Sequence, residues 1–313
     1  MTHEHPVRGP GHQPRAVTVV RAGTLTTLQD LGRPGFAHLG VPRSGALDPL
    51  AHARANRLVG NDPDAATLET TLDGVALRAE TAATVAVTGA SAPVRVNGEP
   101  RGWSLPLLLR AGDTLEIGPA EAGVRSYVAV DGGFDVPLVL SSRSTDLLSG
   151  IGPPPVSSGT TLPIGPARRP PALDMAPYRA PALDETLVVH PGPREDWLGD
   201  RAADALFAQP YEVDPRSNRI GLRLRGGPID RRVRRELPSE GIAWGAVQLL
   251  SDGQLVVLLA DHPTTGGYPV VGVVDRACAS ACAQARPGTF VRLRRARRPA
   301  RPAAREPGRG ATS

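Results

Sequence analysis

Short apolar runs alternate along the chain with turns that are rich in glycine, proline and polar residues. Short runs rich in β-branched residues, bounded by such turns, predict strands rather than helices. Between two of them, Asn97-Gly98 has the residue types of a tight hairpin turn. In the first half we predict strands at 17–20, 84–87, 94–96, 105–109, 115–117 and 127–130. In the second half we predict strands at 187–190, 219–224, 244–250, 255–260, 270–274 and 289–293.

Three segments have the apolar spacing of helices. The first begins at Asp48-Pro49, where an acceptor side chain precedes proline at the first helical position, and it ends at Gly60-Asn61. A second helix is expected at 194–208, and a third contains Cys278 and Cys282. No βαβ repeat is present, which argues against a doubly wound parallel sheet. We therefore predict a mainly β fold of two packed β-barrel units with few helices.

The length of the chain and a proline-rich stretch near its middle indicate two folded units. At 313 residues the chain exceeds the usual size of one domain. We predict a first β-barrel unit at 17–150, a Pro/Gly-rich crossing segment at 151–185 and a second β-barrel unit at 186–294. A disordered leader at 1–16 and a disordered Arg/Pro/Ala tail at 295–313 are expected to flank them.

The formal charge of +5 is concentrated at one end of the chain. Residues 294–313 contain seven arginines and one glutamate, so the remainder of the chain carries a net charge of only −1. Aromatic residues make up 4% of the chain, too few for a base-stacking platform. Neither nucleic acid nor a membrane is therefore an expected partner. No secretion signal or membrane-spanning run is evident, so a cytoplasmic location is expected.

The chain contains no lysine and only two cysteines. The absence of lysine excludes a Schiff-base lysine, a Walker A phosphate-binding loop and a covalently attached biotin on this chain. Two cysteines four residues apart supply neither a disulfide framework nor a zinc site, and we expect both to be small buried hydrophobic residues. No metal site is predicted.

Segments with more glycine and polar residues than a fold alone requires are candidates for a small-molecule site. These segments are 26–35, 43–48, 141–145, 217–221 and 239–269. Asp30, Glu240 and Asp261 are candidate general bases or water-orienting groups. Arginine beside hydroxyl and backbone N–H groups can clamp a carboxylate or a phosphate. The candidate substrate- and anion-binding residues are Arg33, Ser44, Arg143, Ser144, Thr145, Asn218, Arg219, Gln248, Thr264, Thr265, Gly266, Gly267 and Tyr268.

Each of these residues also has a structural interpretation. Gly266-Gly267 could form a turn that requires a positive φ, and Asn218 could cap the start of a strand. Asp30 and Arg33 could form a structural ion pair. A Ser-His-Asp triad is not expected, because no GxSxG sequence surrounds Ser44 and His262 is the only histidine near these segments.

Eight blocks, taken in chain order, resemble the allophanate hydrolase subunit 2 family. The blocks are TTLQDLGR at 26–33, SGALD at 44–48, NRLVGN at 56–61, LETT at 68–71, SRST at 142–145, SNRIG at 217–221, SEG at 239–241 and TTGGYP at 264–269. The family includes KipA-like proteins and is also called the biotin-dependent carboxyltransferase family. The resemblance spans about 17–293, and it is strongest to the stand-alone members that serve as the C subunit of 5-oxoprolinase.

The resemblance implies two cyclophilin-like β-barrel units and an ATP-dependent opening of 5-oxo-L-proline to L-glutamate. ATP would arrive with Mg²⁺, and the partners would be a B subunit that is allophanate hydrolase subunit 1-like and an A subunit of the LamB/YcsF type. One alternative is the carboxyltransferase component of a urea or amide carboxylase, with biotin on a separate protein. A second alternative is a non-catalytic, KipA-like regulatory partner of a subunit 1-like protein.

Overall fold

The computed structural model describes residues 14–167, 169, 170, 175, 184–233 and 235–297. It confirms the predicted mainly β fold, with three short α-helices in the described part of the chain. Most of the predicted leader and tail lie outside the described residues. Ala16, at the end of the predicted leader, begins the first strand, and Arg295, at the start of the predicted tail, ends the last one.

The first unit consists of two antiparallel sheets and one helix. Its elements are β1 (Ala16–Arg21), β2 (Leu25–Gln29), α1 (Pro49–Leu58), β3 (Thr67–Thr71), β4 (Ala76–Ala79), β5 (Ala83–Ser91), β6 (Val94–Val96), β7 (Glu99–Arg101), β8 (Leu107–Leu109), β9 (Thr114–Ile117), β10 (Ala122–Val130) and β11 (Thr161–Pro163). One sheet has the order β11-β1-β4-β9-β6-β7, and the other has the order β2-β3-β10-β5-β8. Buried aliphatic side chains from both sheets, such as Val19, Leu115 and Val128, form one core between them.

The predicted crossing segment contributes to the first unit. Within it, β11 pairs with β1 in antiparallel register, with Val17 opposite Leu162. Val156 and Leu162 are buried in the core of the first unit. Part of this proline-rich stretch is therefore a strand of the first unit rather than a linker.

The second unit is a closed seven-stranded barrel. Its elements are β12 (Asp184–Pro191), α2 (Asp200–Ala208), β13 (Pro210–Val213), β14 (Gly221–Arg225), β15 (Glu240–Gly241), β16 (Ala246–Leu249), β17 (Leu255–Leu258), β18 (Thr265–Gly266), β19 (Val270–Val274), α3 (Ala279–Gln284) and β20 (Phe290–Arg295). The barrel order is β12-β19-β16-β17-β14-β13-β20, in which β12 and β20 are parallel. The short strands β15 and β18 form a separate two-stranded ladder.

Local sequence signals explain several of these elements. Asp48 caps α1 because its Oδ1 accepts a hydrogen bond of 3.1 Å from the Ala51 N–H, as predicted. Asn97 and Gly98 both have positive φ, 53° and 80°, and they connect β6 to β7 as the predicted hairpin turn. The helix α1 packs against β5 and β10, while α3 from the second unit also packs on β10. This contact joins the two units.

Candidate functional site

Asp30 directly follows β2, and its carboxylate accepts four hydrogen bonds. Its Oδ1 accepts from the Ser142 hydroxyl at 2.7 Å, the Ser144 hydroxyl at 2.6 Å and the Gly32 N–H at 2.7 Å. Its Oδ2 accepts from the Arg143 N–H at 2.6 Å. These bonds hold the 141–145 loop against β2, and they occupy the lone pairs that a general base would need. We therefore interpret Asp30 as a structural residue that holds the 141–145 loop in place.

Arg33 and Ser44 extend this network toward the second unit. The Arg33 guanidinium is buried, donates to the Ser44 hydroxyl at 3.2 Å and donates to the Ser144 carbonyl. Ser44 has a φ of 55°, and its N–H donates to the Ala260 carbonyl of the second unit at 3.1 Å. Thr145 is buried, with its N–H bound to the Leu28 carbonyl. Arg33, Ser144 and Thr145 are therefore inside the protein, whereas Ser44 reaches the boundary of the two units.

Arg219 and Asp261 meet in the interior, where the two units join. The Arg219 Nε and Nη2 atoms each lie 2.9 Å from an oxygen of Asp261. Arg219 also donates to Glu69 of the first unit and to the Gly45 carbonyl. Burial opposes ionisation of Glu69, but the charges of Arg219 and Arg125 outweigh it and lower the pKa of Glu69. Arg219, Asp261 and Glu69 form a buried ion network between the units, with Arg125 3.5 Å from Glu69. Glu69 lies in the LETT block but is not among the candidate site residues chosen from the sequence.

The Arg143 and Asn218 side chains have local partners. The Arg143 Nη2 donates to Asp135 at 2.7 Å, and its Nε donates to the Val136 carbonyl at 2.7 Å. The Asn218 Oδ1 accepts from the Ile220 N–H at 2.8 Å, which makes Asn218 the cap of the turn before β14. The hydrogen bonds of both side chains are thus to groups within about eight residues along the chain.

The remaining candidates gather around the β15–β18 ladder. Glu240 forms an ion pair with Arg194, and Gly266 lies opposite Glu240 in the ladder. Neither Gly266 nor Gly267 has a positive φ. The structural interpretation of this pair as a turn that requires a positive φ is therefore wrong. Space is tight at Gly266 instead: a Cβ there would lie 2.4 Å from Cδ1 of Ile242, which would have to shift.

The 264–268 turn is partly exposed beside this ladder. Thr264 is half-buried, Thr265 and Gly267 are exposed, and the Tyr268 side chain is 43% exposed. The Gln248 Nε2 lies 3.5 Å from the Tyr268 carbonyl, and the Arg231 guanidinium lies 5.9 Å from the centre of the Tyr268 ring. The sequence candidates thus fall into separate groups rather than one pocket.

A cleft of about 550 Å³ lies between the two units. Ser44 is the one residue among the predicted candidates that lines it. Its walls are largely apolar, and its polar and aromatic side chains come from both units. The members that sequence patterns missed are Arg43, His190, Trp244, His262, Asp275 and Arg276. Arg43 and His262 lie within candidate segments, at 43–48 and 239–269, and this position was the sequence signal that could have identified them.

His262 is one of the residues that line this cleft. Its Nδ1 lies 2.7 Å from the Pro263 carbonyl, which fixes the proton on Nδ1 in the neutral ring. Burial lowers the pKa of His262 below its ordinary value, so the ring is neutral at pH 7 and its Nε2 can accept a proton. At another wall of the cleft, His190 Nε2 lies 2.9 Å from Asp275 Oδ2.

Two features are absent from the described part of the chain. No group of three or more His, Cys, Asp and Glu side chains in the described ranges is placed to hold a metal ion. Within the same ranges, no helix is long and apolar enough to cross a membrane.

Comparison with known proteins gives the class of protein. The sequence profile of the carboxyltransferase domain, subdomain A and B, matches residues 39–295, so the chain belongs to this family. The predicted family resemblance is therefore confirmed. Among solved structures, that of TTHA0988 has a TM-score of 0.81 and 32% identity, covering 94% of this chain and 60% of that one. The urea amidolyase of K. lactis has a TM-score of 0.83 and 27% identity, covering 90% of this chain and 19% of that one.

Within the family, the chain is similar to curated proteins named as the C subunit of 5-oxoprolinase. It is 39% identical to the Escherichia coli K12 protein over 264 residues, which cover 83% of this chain and 84% of the relative. It is 30% identical to the Haemophilus influenzae protein over 284 residues, covering 88% and 90%. The urea amidolyase of Lachancea kluyveri is 31% identical over 312 residues, covering 90% of this chain but 17% of that much longer protein.

Proposed function

We propose that this chain is the C subunit of an ATP-dependent 5-oxoprolinase. The observation that carries the proposal is the 39% identity to the C subunit of E. coli 5-oxoprolinase, which extends over 83% of this chain and 84% of the relative. Its expected partners are the allophanate hydrolase subunit 1-like B subunit and the LamB/YcsF-type A subunit. A reaction that consumes ATP is consistent with a cytoplasmic location.

The reaction requires activation of a lactam, which is a poor electrophile. Attack of the lactam oxygen on the γ-phosphorus of ATP, which arrives with Mg²⁺ as a co-substrate, would release ADP and leave a better electrophile at the ring carbon. Addition of one water and cleavage of the C–N bond would give an acyl phosphate and the free amine. A second water would release phosphate and complete L-glutamate. Proton removal from water and stabilisation of anionic oxygen are the tasks left to protein groups.

The cleft between the units is the proposed site for this chemistry on this chain. It is large enough for a five-membered lactam and combines apolar walls with a few polar groups, as small-molecule sites do. His262 has the properties of a proton acceptor there, because its Nδ1 is held by the Pro263 carbonyl and its ring is neutral. We assign no direct chemical role to Asp30 or Asp261, whose oxygens are occupied inside the protein.

Reconstitution tests the proposal directly. This chain and the two proposed partner proteins are purified, mixed with 5-oxo-L-proline and MgATP, and assayed for L-glutamate and ADP. We expect glutamate and ADP in equal amounts, and only when all three proteins are present. Glutamate formation at the same rate without this chain would show that the proposed function is wrong.

A carboxyltransferase role is a second candidate, favoured by the 31% identity to the L. kluyveri urea amidolyase. Because the chain has no lysine, biotin would have to be carried by another protein. The same mixture, supplied with a biotin carrier, its carboxylase and ¹⁴C-bicarbonate, would then transfer label to urea or another amide. A regulatory role would give complex formation with a subunit 1-like protein but no product in either assay.

A further inference from the structure

Two arginine side chains line the cleft without an acidic partner. Arg43 enters from the first unit, on the loop that precedes α1, and Arg276 enters from the second unit, just after β19. Among the residues that the structure describes, neither guanidinium has a hydrogen-bonding or ion-pairing partner. Two like charges without counter-charges repel each other, and such a pair is stabilised when an anion binds between them.

The surroundings of Arg276 keep it available for a ligand. Its guanidinium carbon lies 5.1 Å from the centre of the Trp244 ring, which supports the side chain by a cation–π contact and leaves its N–H edge free. The neighbouring Asp275 accepts hydrogen bonds from His190 and from the Ala277 N–H instead. Burial lowers the pKa of Arg276, and repulsion from Arg43 lowers it further.

We propose that Arg43 and Arg276 together bind the carboxylate of a small organic acid in the cleft between the units. The inference rests on the proposed function, and it identifies the group of 5-oxoproline by which the substrate is selected. Guanidinium groups bind carboxylate by paired, charge-assisted hydrogen bonds. A carboxylate held at the two arginines would leave the apolar walls of the cleft to contact the ring.

A polyphosphate fits this cleft less well than a carboxylate. Most of the other wall residues are apolar, including Leu47, Val273 and Ala279. A triphosphate with its metal ion needs many more donors than two guanidinium groups and is usually cradled by backbone N–H groups. The charge and the apolar lining together therefore favour a monoanionic organic ligand.

Steady-state kinetics of the reconstituted complex test the assignment. Arg43→Gln and Arg276→Gln are each expected to raise the KM for 5-oxo-L-proline about 10-fold to 100-fold, the loss typical of a charge-assisted hydrogen bond. The KM for ATP should stay within about 2-fold of the wild-type value. Arg276→Lys should recover only part of the loss, because lysine lacks the planar paired donors.

Arg223→Gln, at an exposed arginine on β14, is the matched control and should leave both KM values unchanged. A raised KM for ATP with an unchanged KM for 5-oxo-L-proline would assign the arginines to phosphate and overturn the inference.

Binding to the isolated chain separates failure of this inference from failure of the proposed function. The indole N–H resonance of Trp244, identified with Trp244→Phe, reports on the cleft in NMR titrations with 5-oxo-L-proline, 2-pyrrolidinone, acetate and inorganic phosphate. We expect shifts with 5-oxo-L-proline and acetate that the Arg43→Gln/Arg276→Gln variant loses, and a much weaker response to the uncharged lactam. This result would support the carboxylate site even if the complex made no glutamate. Equal binding of 2-pyrrolidinone and 5-oxo-L-proline, a response to phosphate alone, or no response to any probe would overturn the inference.

Discussion

Arg219 and Asp261 share two parallel hydrogen bonds, from Nε to Oδ2 and from Nη2 to Oδ1, each 2.9 Å long. Both side chains are almost completely buried, with exposures of 1% and 0%. The same guanidinium reaches Glu69 of the first unit, whose second oxygen accepts from the Tyr127 hydroxyl at 2.7 Å and from the Leu47 N–H at 3.0 Å. Charges and hydrogen bonds are thus matched across the boundary between the units, close to the cleft.

Removal of Arg219 should be strongly destabilising. In Arg219→Met the Asp261 carboxylate would remain buried without its counter-charge, and Glu69 would keep only Arg125, 3.5 Å away. Loss of one partner of a buried ion pair typically costs about 3–5 kcal/mol, so we expect a decrease of this size in the free energy of unfolding. Urea unfolding of the isolated chain, followed by far-UV circular dichroism, measures it.

Arg78→Met is the matched control for this change. Arg78 pairs with Glu80 on the surface, where side-chain exposures are 51% and 34%, and surface pairs contribute little. We expect its urea midpoint to stay close to the wild-type value. If the urea midpoint of Arg219→Met is also close to the wild-type value, the buried network does not stabilise the protein.

Gln284 of α3 forms a second contact between the units. Its Oε1 accepts from the Val124 and Arg125 N–H groups, and its Nε2 donates to the Asp48 carboxylate at 3.0 Å. Gln284→Glu would replace the donor with a carboxylate facing Asp48, and we expect a loss of about 2–4 kcal/mol in urea unfolding. Adding Asp48→Asn should recover part of it, because the new amide can donate to the new carboxylate while its oxygen still caps α1.

Gln254→Glu provides the control for this exchange. Gln254 also uses both ends of its amide, on the N–H and carbonyl of Gly226, but these contacts lie within the second unit. Adding Asp48→Asn to Gln254→Glu should bring no recovery. If Asp48→Asn rescues both variants equally, or neither, the Asp48–Gln284 contact is not what couples the units.

Local sequence rules predicted the elements whose cause is local. The Asp48-Pro49 helix start and the Asn97-Gly98 hairpin depend on residues a few positions apart, and both are present. The parallel pairing of β12 with β20 joins segments about a hundred residues apart, and no short motif encodes it. The strand β11 in the crossing segment has a related cause: proline-rich composition indicates a loop, whereas pairing with β1 is a tertiary contact that composition does not encode.

The site was predicted less well than the fold. Asp30, Arg33 and Arg219 are charged residues in glycine-rich blocks, which is typical of a ligand site, but the structure places all three in buried networks. Such blocks are needed to build the interior between the units as much as to bind a ligand. Arg43 and Arg276 come from opposite ends of the chain, and only the packing of the two units brings them into one cleft.

Gly266 allows the β15–β18 ladder to pack closely against its neighbours. In Gly266→Ala the new Cβ would lie 2.4 Å from Cδ1 of Ile242 and 3.1 Å from Nε2 of Gln248. We expect a loss of about 1 kcal/mol in urea unfolding, at the low end for overpacking, because both contacted atoms lie at the ends of flexible side chains. Ile242→Val removes the clashing Cδ1 atom, so the double variant should be more stable than Gly266→Ala alone.

Gly241→Ala is the control in the same ladder. No atom lies within 4 Å of a Cβ placed there, so its stability should equal that of the wild-type chain. Equal losses for Gly241→Ala and Gly266→Ala would indicate a general need for glycine in this ladder rather than a steric one.

The pH dependence of the reconstituted activity tests the role proposed for His262. A neutral imidazole accepts a proton and an imidazolium does not, so activity should be lost as the pH falls through the His262 pKa. Because burial lowers this pKa from its ordinary value of 6.5, kcat/KM should hold down to about pH 6.5 and decline only below it. His262→Gln should lower kcat by about 10²- to 10⁴-fold and abolish this decline at low pH, the acid limb of the pH profile.

His38→Gln, at an exposed histidine outside the cleft, is the control and should retain both the wild-type rate and the acid limb. An unchanged acid limb in His262→Gln would assign the titration to another group and remove His262 from the chemistry.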